Sequence, residues 1–61
     1  MPNISAKELS ALEDLLSYEQ VAVKKYRTIA CNTADPVIKG KYEQIAGRHQ
    51  EHYNRLLTFL N

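Results

Sequence analysis

Seam positions recur along the first half of this chain at alternating steps of three and four residues: Leu9, Leu12, Leu16, Glu19, Val23, Tyr26 and Ala30. That spacing is the stripe of an α-helix packed against neighbours in coiled-coil fashion, and it does not fit a strand, whose side chains alternate with period two. Every member of the series is apolar or aromatic except Glu19, a carboxylate where the pattern calls for a leucine. The second half repeats the pattern as Ile38, Tyr42, Ile45, His49, His52, Leu56 and Phe59, and its two histidines are as oddly placed as Glu19.

Local signals set the limits of the two helices. Ser5 and Glu8 have capping-box spacing, with Ile4 and Leu9 placed to close over them as a hydrophobic staple, so the first helix is expected from about residue 5. No proline or glycine interrupts the chain from there to Cys31. Asn32, Thr33 and Ala34 form the expected turn, Asn32 being a residue that tolerates the left-handed conformation of a helix end. Asp35 followed by Pro36 reads as an N-cap with proline at the first helical position, Thr33 being the competing cap. The second helix is expected over about 36–60. Gly40 and Gly47 lie inside it at a cost near 1 kcal/mol each unless they admit a close neighbour.

Two antiparallel helices joined by so short a turn put residue i of the first level with roughly residue 67 − i of the second. Glu19 then stands beside His49 and within a turn of His52, three groups of metal-ligand type at one height. A carboxylate inside a helical core is costly unless it is protonated, ion-paired or bound to a metal. The histidines offer the last two routes. As a metal site, Glu19, His49 and His52 give two imidazoles and one carboxylate, a set typical of non-haem iron and open also to zinc, manganese and copper. As an ion pair, the same residues fix helix register with no metal at all. By the same level rule Tyr26 and Tyr42 meet across the seam nearer the turn, as packing aromatics.

Sixty-one residues in two helices cannot enclose a core. Leu15, Ala22 and Ile29 on the first helix, and Ala46, Tyr53 and Leu60 on the second, widen each stripe enough to touch two neighbours. An internal disulfide is impossible with Cys31 as the one cysteine. The expected solution is therefore an all-α hairpin that dimerises, or assembles further as a homo-oligomer, into a four-helix bundle. A net charge of +1 gives no reason to expect nucleic acid as a partner, and the basic row Lys41, Arg48 and Arg55 reads as solvated helix surface. No apolar run suits a membrane span and no leader pattern appears, so a soluble, cytoplasmic chain with reduced Cys31 is expected. No nucleophile and base arrangement, phosphate loop or zinc-finger spacing is present.

Glu19 followed seven positions later by Tyr26, with His52 on an antiparallel second helix, resembles half of a ferritin-like di-iron bundle. In that superfamily the first helix gives a glutamate, often with a tyrosine seven residues on, and the second gives Glu-x-x-His. His49 stands where the family has its bridging glutamate, so a two-fold dimer would hold two carboxylates and four histidines. The resemblance runs from about Leu9 to Phe59 and implies a bound transition metal, iron or zinc, with a role in metal handling or redox chemistry. The small size, the tyrosines and the Asp35-Pro36 turn are similar to short ferritin-like proteins related to bacterial spore coat proteins. That second likeness implies a structural or assembly role and a place in the spore coat.

Overall fold

The structure, a computed structural model, describes residues 4–60. It is an antiparallel hairpin of two helices, α1 (Ala6–Cys31) and α2 (Pro36–Leu57), closed by a 3-10 turn over Thr58–Leu60; no strand occurs among the described residues. The capping box forms: the Ser5 hydroxyl accepts from the Glu8 amide at 3.1 Å, and the Glu8 carboxylate accepts from the Ser5 amide at 2.9 Å. Two of the amides that α1 would otherwise leave unpaired at its start are thereby satisfied. This bond to the Ser5 backbone, helped by the one to its side chain, holds the Glu8 carboxyl below its ordinary range.

Asp35, not Thr33, caps α2, its Oδ1 accepting from the amides of Val37 and Ile38 at 2.8 and 3.1 Å. Thr33 instead closes the end of α1, donating its hydroxyl to the Ile29 carbonyl at 2.6 Å. Asn32 departs from expectation. It sits at φ −97°, ψ 3°, and no described residue has positive φ. Its amide bonds back to the carbonyls of Thr28 and Ile29, and its side-chain Nδ2 donates to the Thr28 carbonyl at 2.9 Å, so α1 ends without a left-handed residue. At the far end, α2 stops at Leu57, where the last residues tighten into the 3-10 turn.

On α1 the buried residues are Leu12, Glu19, Ala22, Val23 and Ala30, four of them on the expected seam. The second helix is turned slightly from expectation. Its one buried residue is Ala46, while Ile38, Ile45, His52 and Phe59 are exposed, and Tyr42, His49, Tyr53, Leu56 and Leu60 are half-buried. The smallest side chain of the wide stripe takes the line of contact because it lets the two backbones come closest, which swings the larger row at 38, 45, 52 and 59 to one side.

The hairpin is a thin rod measuring 46 × 14 × 11 Å, with a radius of gyration of 14.4 Å. A compact chain of this length would have about 10.5 Å. Two helices therefore pack along one line and leave both flanks open. The glycines do not serve close approach: a Cβ added at Gly40 or Gly47 would meet nothing within 4 Å.

A candidate metal centre at the middle of the hairpin

Glu19 lies at the midpoint of α1 and points across the seam to α2. Its two oxygens are divided between the two histidines, Oε1 to His49 Nδ1 at 2.5 Å and Oε2 to His52 Nδ1 at 3.2 Å. The expected level rule placed all three residues correctly. Burial is graded: side-chain exposure is 11% for Glu19, 20% for His49 and 49% for His52, so the cluster opens from the seam toward one flank.

With a proton on Nδ1, His49 donates to Glu19 Oε1 and keeps a lone pair on Nε2, while His52 Nδ1 stands at ion-pair distance from Oε2. No buried side-chain nitrogen or oxygen among the described residues lacks a partner, and each Glu19 oxygen faces one imidazole nitrogen. The same three residues offer donor atoms that lie within 4.8 Å of one another. Donors bound to one zinc or iron at about 2.1 Å stand roughly 3.4 Å apart in a tetrahedral arrangement. The Glu19 to His52 separation is already close to that value. The Glu19 to His49 contact would have to open from 2.5 Å to admit an ion.

Around the cluster lies an aromatic wall. Tyr26 stacks on His49 with centroids 5.7 Å apart and planes 2° from parallel, and Tyr42 stacks on the other side of Tyr26 at 6.2 Å. The Tyr26 to Tyr42 meeting was expected; the contact of Tyr26 with His49 was not. Tyr18, which is not a member of the seam series, meets His49 edge-on at 6.2 Å. The level rule did hold that signal, since residue 18 is level with about residue 49. Tyr18 and Tyr26 thus fix the plane of one imidazole, with Tyr42 stacked on Tyr26. The Lys25 ammonium lies 5.6 Å from the Tyr26 ring centre and adds a cation beside the wall.

Other residues singled out in the sequence stand apart from this centre. Lys41 and Arg48 line a shallow depression on α2 shared with Glu51, which sets an acid among the bases. Cys31 is exposed at the end of α1. No helix of the described residues is long and apolar enough to cross a membrane.

Compared with curated proteins, the chain is 32% identical over 57 residues to the uncharacterized protein YuzM of Bacillus subtilis (strain 168), across 93% of this chain and 70% of that protein. The chain belongs to the family of that protein. No protein-family model matches it, and no solved structure matches it.

Proposed function

Because membership of the YuzM family brings no activity with it, we propose a function from the central cluster itself: the chain is a metal-binding helical hairpin of ferritin-like type. Glu19, His49 and His52 hold a divalent transition metal, iron or zinc, and two hairpins pair into a four-helix bundle around it. The observation that carries this reading is the convergence of one carboxylate and two imidazoles at a single height of an otherwise apolar seam, with donor atoms within 4.8 Å of one another. Tyr18 and Tyr26 pack on the His49 ring and hold its plane, and Tyr42 backs Tyr26. A bound ion of this kind supplies Lewis acidity or, for iron, one-electron chemistry, and the role is metal handling or redox.

One observation favours a second reading. Each Glu19 oxygen already faces an imidazole nitrogen, so the cluster stands without an ion as a register lock for a structural or assembly protein of the spore-coat type. Thermal unfolding with added Fe(II), Zn(II) or Mn(II) separates the two. A metal preferred by the folded chain raises the midpoint by mass action, the rise fades in acid as protons compete for the imidazoles, and His52→Ala abolishes it. If metals do nothing to the parent, and the Glu19→Leu and His49→Leu double variant is as stable or more so, the metal reading is wrong and the register lock stands.

A further inference from the structure

The two flanks of the hairpin differ in kind. The flank bearing Tyr18 and His52 carries Leu15 on α1 and the heptad-spaced Ile38, Ile45 and Phe59 on α2, with exposures of 50%, 47%, 37% and 51%. The opposite flank is a groove in which Gln20, Lys24, Arg27 and Gln50 interrupt the apolar surface of Val21 and Tyr53. The apolar flank is thus the one onto which the Glu19, His49 and His52 cluster opens.

The open rod as a whole carries surplus surface. The chain exposes 4802 Å². A compact monomer of 7.0 kDa exposes about 4,000 Å², so the rod has about 800 Å² more to cover, comparable with one side of a standard protein interface. The position of the polar cluster says what the partner is. His52 sits half exposed in the middle of an apolar strip, and Glu19 is at the midpoint of α1. A uniformly apolar partner would strip water from the His52 nitrogen that Glu19 does not engage and give it nothing in return. A second copy related by a two-fold axis at mid-length lays an identical cluster opposite the first, and Leu15, Ile38, Ile45 and Phe59 of each copy cover the other's.

We propose that a second copy of this chain docks on this flank and that docking and metal binding are one linked equilibrium. Three donors from one chain leave coordination positions of the ion open on the exposed side of His52, and the facing copy closes that side. This rests on the metal reading above and adds to it that the site is incomplete in a single hairpin.

The test is sedimentation velocity of the full chain over a concentration series, with Zn(II) and with chelator, beside calorimetric titration of zinc alone and circular dichroism to confirm folding. Zinc is expected to tighten self-association of the parent about tenfold or more and to leave that of His52→Ala unchanged. Ile38→Lys, about three turns from His49, is expected to weaken self-association in zinc while helix content is kept. Zinc that binds by calorimetry without tightening association overturns the linkage and leaves the metal reading intact. Association indifferent to Ile38→Lys overturns the choice of flank. Zinc that fails to bind at all overturns both.

Discussion

Gly40 and Gly47 offer a sharp check on which surfaces of the hairpin are free. Both lie in the interior of α2, and a Cβ built at either would meet nothing within 4 Å. Neither has positive φ, so alanine adopts the same backbone without strain. In a helix interior alanine is better than glycine by about 0.8–1.0 kcal/mol, chiefly because the unfolded chain loses fewer conformations on folding. The two sites are two helical turns apart, about 10.5 Å, and share no partner, so their effects should add. The double variant Gly40→Ala, Gly47→Ala should gain about 1.5–2 kcal/mol. For a domain of this size, 1 kcal/mol moves the midpoint by roughly 4–8 °C, which gives an expected rise of about 6–16 °C. Thermal and urea unfolding followed by circular dichroism, at two protein concentrations, reads this directly. A loss of stability would mean that backbone from another chain lies against these glycines, and the assignment of that flank as open would be wrong.

Burial along the seam gives a second contrast. Leu12 is 8% exposed whereas Leu56 is half-buried, so Leu12→Ala should cost about 2–5 kcal/mol per chain and Leu56→Ala distinctly less; equal costs in urea unfolding would show that a further surface covers Leu56. The capping box gives a pH dependence with a definite sign. The Glu8 carboxyl is lowered on folding, so its contribution is present above the unfolded value near 4.5 and lost as pH falls through the lower folded value. Glu8→Ala, which removes the carboxylate that accepts from the Ser5 amide, should lower stability near neutral pH and do so less in strong acid, and a loss that does not shrink on acidification would count against the box.

Much of this architecture was readable in the chain because its signals are local or periodic. Ser5 with Glu8, and Asp35 with Pro36, announce their caps within four residues. Glu19 could be paired with His49 because a short antiparallel turn leaves one free parameter, the level, and the turn fixes it. Rotation of α2 about its own axis was not readable. A wide stripe contains both Ile45 and Ala46, and periodicity cannot say which faces the partner helix; that depends on how closely two backbones approach, a property of both helices at once. Asn32 misled for a related reason. Its tolerance of the left-handed region is a permission, and the hydrogen bonds from Thr33 and Asn32 back into α1 made the permission unnecessary. The contact of Tyr18 with His49 escaped because stripe membership was weighed and level was not.

The division of the hairpin between an aromatic pair near the turn and a polar cluster at mid-length sets an order of assembly in time. Tyr26 and Tyr42 are separated by a short stretch of chain, and Glu19 and His49 by 30 residues. Closing a loop costs about 0.6 kcal/mol more for each doubling of its length, so the tyrosine pair forms at the smaller entropic cost. The helices are accordingly expected to zip from the turn outward, with the stacked rings in place before the carboxylate and imidazoles meet. Tyr26 belongs to both events, since it stacks on Tyr42 on one side and on His49 on the other. A ring that first nucleates the hairpin then stands as the surface against which the ligand histidine is laid.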